Sequence, residues 1–300
     1  VVTRGDTVCA MTSASELRLP VGELELAARA FGPADGVPVL ALHGWLDNAA
    51  SFEPLAQHLQ GIRLVALELP GHGHSDHRPT GCGYHFVDYA HDVVAALDAL
   101  GWSRCAVVGH SLGGAVATLV ASAFPDRLER LALIEALGPL SETPEALPRR
   151  LERAVGQVLS ANAGKARPYA HIDDAVAARR RAGDLDAASA RLLVERATVA
   201  RADGIHWRSD PRLRRPASYR LTEDQVLALL ASIRAPTCMV VGDNGLVPLD
   251  HPGVQQRLGA VTTATVHELS GHHHLHMSAP RAVAEVLGPF LRGEDGAAPA

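Results

Sequence analysis

Ten residues constrain this chain more than any others: Cys105-Ala-Val-Val-Gly-His-Ser-Leu-Gly-Gly114. The apolar run 106–108 leads into Gly109-His110-Ser111-Leu112-Gly113, a G-x-S-x-G pattern, and a helix-competent stretch at 115–124 follows. A buried strand, a sharp turn and a helix with serine at the apex is the context in which that pattern carries chemistry. Side chains at positions 109 and 113 are expected to collide with the flanking strand and helix, so glycine is required there. The serine Oγ is thereby held clear of the sheet.

The remainder of the chain fits an α/β architecture. Apolar or alternating runs at 17–19, 24–31, 37–42, 63–67, 131–134, 237–241 and 264–268 read as strands. The continuous ones have the signature of parallel strands covered on both faces. Helical periodicity marks 51–59, 84–100, a segment capped by Thr222 and running to 233, and 282–291. Strands alternating with helices imply a parallel sheet with its site outside the carboxyl ends of the strands. The polar loops 43–48, 68–76, 135–139, 242–245 and 270–276 all fall at that edge.

From 140 to 220 strand-like runs vanish and arginine and alanine dominate, with helices expected at 148–159, 172–181 and 185–202. An insertion of this size in a compact sheet reads as a helical lid over the site. Its arginines read chiefly as solvated helix faces. The alternative is that Arg149, Arg150 or Arg220 lines a pocket for an anionic substrate. The division is therefore a core of 16–139 and 221–292, a lid of 140–220, a disordered extension of 1–15 and a polar tail of 293–300.

With 47 % hydrophobic residues the chain can bury a large core, and a net charge of −5 argues against a nucleic-acid surface. No apolar run approaches membrane-spanning length, and residues 1–10 do not read as a signal peptide. Cys9, Cys82, Cys105 and Cys238 lack paired spacing, so reduced thiols and a cytoplasmic location are expected.

Several landmarks together resemble the α/β-hydrolase superfamily from Leu24 to Leu291. They are His43-Gly44, the run Leu69-Pro-Gly-His-Gly-His-Ser-Asp76, the 109–113 elbow and a late Gly-x-His loop. The 43–48 run and Trp207-Arg-Ser-Asp-Pro-Arg-Leu213 resemble its serine hydrolase-like branch. The resemblance implies a mostly parallel eight-stranded sheet flanked by helices, with Ser111 as nucleophile. It places the oxyanion-hole amides on Leu112 and Trp45, and the spacing back from Pro280 puts the catalytic histidine at His273 rather than His272, His274 or His276. His43, Gly44 and His110 are taken as substrate-binding neighbours.

The acid departs from the pattern. Aligned from Pro236, the usual aspartate position falls on Gly245, with Asp243 two residues early. Glu135, directly after the strand 131–134, is preferred, because some branches of the superfamily keep their acid there; Asp243 is the alternative. A zinc site in the histidine cluster is disfavoured, since no carboxylate or cysteine stands with it at motif spacing, so neither metal nor cofactor is expected.

The resulting reading is a serine hydrolase cleaving small carboxylic esters through an acyl-serine. With aromatics at only 4 %, an aliphatic pocket for short to medium acyl chains is expected. Carbon–carbon bond hydrolysis, lactone opening or perhydrolysis could use the same triad. A non-catalytic or slow-turnover ligand-binding protein is the alternative from another class. No nucleic-acid or membrane partner is expected, and the oligomeric state is left open.

Overall fold

The computed structural model describes residues 14–160 and 167–294. Ten strands occur among them: β1 (Ser15–Val21), β2 (Leu24–Phe31), β3 (Val37–Leu42), β4 (Ile62–Leu67), β5 (Cys105–His110), β6 (Leu128–Ile134), β7 (Thr198–Arg201), β8 (Gly204–Trp207), β9 (Thr237–Asn244) and β10 (Ala264–His272). Eight form one sheet in the order β1-β2-β4-β3-β5-β6-β9-β10. Only β2 runs against the rest, pairing antiparallel with both β1 and β4. Every strand expected from the sequence lies in this sheet.

Side-chain alternation explains the two cores. Along β3, Leu40 and Leu42 face one layer and Val39 and Ala41 the other, all four fully buried. The first layer meets Val93 and Leu97 of the helix Asp88–Ala99, Val116 and Val120 of the helix Leu112–Ala123, and Val226 and Leu230 of the helix Glu223–Ala231. The second meets Phe52, Leu55 and the closing helix Pro280–Arg292 through Val283, Leu287 and Leu291. Each such side chain stabilises the fold by about 1.5–3 kcal/mol. The central strands are thus clamped from both sides, and their carboxyl ends make a rigid platform.

Two sequence expectations need correction. The extension expected to be disordered through residue 15 ends sooner: Ser15 opens β1 opposite Ala30, and Ala14 packs on the second core layer. Residues 1–13 and 295–300 lie outside the described residues. The insertion is also not wholly helical. Its helices are Leu147–Leu159, Ile172–Ala182 and Ala187–Ala197, but the last stops five residues before the expected end. β7 and β8 follow as a hairpin, with Thr198 opposite Trp207. The β-branched pair Thr198-Val199 and the positive φ of Gly204 favour that turn over continued helix.

The insertion has a small core of its own, including Val176, Leu193 and Val194, which takes in Met277 from the main body. It is tied down by buried ion pairs. Arg196 reaches Glu68, whose side chain is wholly buried, at 2.6 Å, and Glu16 at 2.7 Å. Arg179 pairs with the buried Asp47. Arg150, one of the arginines considered for an anionic pocket, is occupied by Glu142.

Removing the arginine from the Arg196–Glu68 pair strands a buried carboxylate, a change that costs about 3–5 kcal/mol where no other donor helps. Glu68 keeps the amides of Ala49 and His74. Arg196→Ala is therefore expected to lower stability in urea by about 2–3 kcal/mol. A loss below about 0.5 kcal/mol, the size of an exposed pair, would show that the two amides suffice.

Candidate active site

The elbow is built by steric exclusion. A Cβ on Gly109 would lie 2.5 Å from Gly114 Cα, one on Gly113 2.0 Å from the carbonyl oxygen of Leu42, and one on Gly114 2.5 Å from Ala136 Cβ. The helix Leu112–Ala123 can therefore start directly over the ends of β3, β5 and β6. Ser111 takes the turn at φ 50° and ψ −114°, its amide bonded to Ile134 O at 3.0 Å. The backbone is strained at two further points nearby, Glu135 at φ 52° and Leu46 at φ 61°. Such conformations cost about 1–3 kcal/mol each and gather where chemistry is positioned.

Glu135 continues β6 past its last ladder residue. Its amide donates to Val240 O at 3.0 Å, which turns the side chain inward, and the residue is only 3 % exposed. The carboxylate accepts from Gly242 N at 2.7 Å, from Leu246 N at 2.6 Å and from His273 Nδ1 at 3.2 Å. A Cβ on Gly245 would sit 2.0 Å from Glu135 Oε1. The glycine at the usual aspartate position thus vacates the space that the carboxylate from β6 fills. Asp243 is exposed and accepts from Gly271 N at 2.9 Å, which fixes the start of the histidine loop rather than His273.

His273 follows β10, beyond a bulge between Leu269 and His272 in the pairing with β9. Its Nδ1–H is committed to Glu135, which leaves the Nε2 lone pair free. His110, next to Ser111, donates from Nε2 to His273 O at 2.9 Å, with ring centroids 4.7 Å apart. Of the other loop histidines, His272 is exposed and pairs with Asp184 at 2.8 Å, whereas His274 and His276 are buried.

In the loop after β3, Leu46 at positive φ and the bond from Asp47 N to Gly44 O at 3.1 Å make a tight turn. Trp45 sits on this turn, 51 % exposed, with its indole N–H donated to Leu213 O of the insertion at 3.2 Å. Leu112 is the first residue of its helix, where an amide has no carbonyl one turn back to serve. His43 and His110, expected beside the substrate, are instead enclosed. His43 donates to Gly44 O at 2.8 Å and accepts from Leu69 N at 3.1 Å, which leaves it no nitrogen for a ligand.

Burial lowers the basicity of His43 and of His110, the latter far below its ordinary value, and takes His72 and His276 to about 3. Asp47 is held well below the usual carboxylate range. Burial alone pushes it up, and the hydrogen bond from His274 with the Arg179 guanidinium overrules it. Asp47, His110 and His274 bring three potential ligand atoms within 4.8 Å of one another. Sequence reading assigned Asp47 no role, and nothing in the order of the chain links it to a histidine 227 positions away.

The alpha/beta hydrolase fold family matches residues 37–168. A serine hydrolase-like protein of Danio rerio is 33 % identical, over 93 % of this chain and 89 % of its own. A hypothetical protein from Pseudomonas aeruginosa PAO1 of known crystal structure is 40 % identical with a TM-score of 0.87, over 92 % of this chain and 98 % of its own. The thioesterase domain from the curacin biosynthetic pathway is 26 % identical with a TM-score of 0.82 over 92 % of this chain and 99 % of its own. The chain belongs to the α/β-hydrolase fold family, among its serine hydrolase-like members.

Two outcomes are expected from this geometry. Gly245→Ala should destabilise the protein by about 1–3 kcal/mol through overpacking. Most of that loss should vanish in a Glu135→Ala background, because the two changes share one space; additive losses in a double-mutant cycle would contradict it. Secondly, His72 titrates near 3 when folded and near 6.5 when unfolded, so the unfolded chain takes up its proton first. That contribution is full above about pH 6.5 and is lost towards pH 3, at about 1.4 kcal/mol per pH unit. His72→Leu should flatten the acid limb of stability against pH by about one proton, whatever it does to stability at pH 7.5.

Proposed function

We propose that this protein is a serine hydrolase that cleaves small carboxylic esters through an acyl-serine intermediate. The observation that carries the reading is the buried Glu135 carboxylate on His273 Nδ1, beside a serine held at the apex of a strained elbow. With Nδ1–H committed, Nε2 of His273 can take the Ser111 proton as Oγ attacks the ester carbonyl. The amides of Trp45 and Leu112 would face the oxygen that turns negative in the tetrahedral intermediate. Collapse expels the alcohol, which takes the proton from Nε2. Water then attacks the acyl-serine with the same histidine as base, and the acid leaves with Ser111 restored.

In this reading Glu135 orients the imidazole and stabilises the imidazolium, the part usually played by an aspartate from the following strand. The insertion serves as the lid: the Trp45 bond to Leu213 joins the oxyanion turn to it directly. The thioesterase likeness supports acyl transfer more broadly, so thioesters are natural co-substrates. An aliphatic pocket for short to medium acyl chains is part of the proposal, and equal turnover of acetyl and palmitoyl esters would rule it out.

Hydrolysis of p-nitrophenyl acetate and butyrate tests the mechanism. Ser111→Ala should lower kcat at least about 10³-fold, and Glu135→Gln by about 10²–10⁴-fold. Asp243→Asn should stay within about threefold of wild type, since its partner is a loop amide. Glu135→Gly combined with Gly245→Asp should recover at least about tenfold over Glu135→Gly alone, the new carboxylate entering the vacated space. Wild type no faster than Ser111→Ala would remove the esterase reading and favour lactones, carbon–carbon substrates or a binding role.

A further inference from the structure

A polar cluster lies behind the triad that the proposed chemistry does not use. Asp47 Oδ2 is 3.2 Å from His274 Nε2 and 3.7 Å from His110 Nδ1, with all three side chains buried. The bond from His110 Nε2 to His273 O places that ring's proton on Nε2, so Nδ1 carries a lone pair. That lone pair is buried, has no hydrogen-bond partner among the described residues and faces a carboxylate oxygen. Asp47 Oδ2 accepts from His274 Nε2, whereas His110 Nδ1 has no donor, and a cation bound between the three groups would satisfy it. The adjoining space is kept open by Gly44, whose missing Cβ would fall 2.8 Å from Asp47 Oδ2 and 2.9 Å from His110 Nδ1.

We propose that Asp47, His110 and His274 are the ligands of a transition-metal site, suited to Zn²⁺, whose occupation slows the hydrolase through His273. Two imidazoles and one carboxylate form a zinc-type donor set; magnesium and calcium prefer all-oxygen shells. Bonds of about 2.0–2.2 Å imply ligand separations of roughly 3.3–3.5 Å in a tetrahedron. Here Asp47 lies 3.2 and 3.7 Å from the two histidines, with all three ligand atoms within 4.8 Å of one another. The outer shell is in place. His110 gives its other nitrogen to a backbone carbonyl, and Arg179 holds Asp47 Oδ1, leaving Oδ2 free to ligate. His274 ligates through Nε2 once its proton sits on Nδ1, which is also without a partner among the described residues. Three protein ligands leave a fourth position for water.

The link to turnover rests on the triad proposed above. His110 holds the His273 carbonyl, and the His273 and His274 rings meet edge to face at 5.2 Å. Drawing the three ligands onto one ion moves His110 and His274, and with them the loop that carries His273.

The test uses the full chain dialysed against ZnCl₂, with bound metal measured by mass spectrometry and Co²⁺ absorption as a second probe. Wild type should hold one zinc per chain and give the intense visible bands of tetrahedral Co²⁺. His274→Gln should weaken binding at least about 100-fold, beyond what loss of an outer-shell partner causes. Asp47→Asn should do the same, with circular dichroism reporting that each variant is folded; if Asp47→Asn does not fold, His274→Gln decides. His272→Ala, which alters the exposed histidine of the loop, should keep the metal. Zinc should slow ester hydrolysis by wild type at least about tenfold, reversed by chelator, but not the activity left in His274→Gln. No bound zinc, or binding kept by His274→Gln and lost with His272→Ala, overturns the site. Stoichiometric zinc without inhibition overturns the coupling to His273. Should wild type lack esterase activity, zinc stoichiometry still decides the site, so the two readings fail separately.

Discussion

A carboxylate buried at the tip of β6 sets the terms for the whole active edge. Glu135 carries a charge into a place almost without solvent, which is tolerable only with hydrogen bonds to its oxygens. The donors are the amide of Gly242 in β9, the amide of Leu246 just beyond it and the ring of His273 just beyond β10. Three strand ends are thus fastened to one functional group. Gly245 keeps its own side chain out of that space, and Asp243, displaced to the surface, fixes the entry to the histidine loop instead. In the proposed mechanism the acid comes from the end of β6, one strand along the sheet from Asp243.

Around this centre the protein keeps four histidines neutral by burying them. His43 bonds backbone atoms on both sides, and His72, His110 and His276 are held uncharged by desolvation. His273 differs in being part-exposed, with a carboxylate on one nitrogen. Among these imidazoles the environment, and not residue type, sets His273 apart from the packing elements. The neighbouring Asp47 joins the same region to the insertion through Arg179, as Glu68 does through Arg196. Arginines that resemble a solvated surface in the sequence are thereby spent on anchoring.

Much of the fold was legible because strands covered on both faces must be apolar at every position, and such runs are rare by chance. β3, β5, β6 and β9 all announce themselves in this way. The turn at Ser111 was legible because only glycine fits at positions 109 and 113, and Glu135 stood out as a candidate because a carboxylate directly after a buried strand has few structural purposes. The hairpin β7–β8 was not: apart from the buried Thr198 its four-residue strands are half-buried or exposed, and they pair only with each other, so they leave no apolar signature. The short helix Leu275–Ser278, which buries His276, was missed for a similar reason, being a single turn.

The sequence by itself determined the sheet, the elbow and the set of residues able to do chemistry, since each depends on a local requirement for apolar, small or ionisable side chains. Tertiary structure alone decided which partners meet. The contact of Glu135, and not Asp243, with His273 turns on a glycine just after β9, at 245, where the Glu135 carboxylate needs room. The convergence of Asp47 with His110 and His274 turns on the loop that follows β10 reaching back, past β6 and β9, to the ends of the adjacent strands β3 and β5. Neither proximity has any trace along the chain, because contact between distant residues is set by how strands are ordered in the sheet.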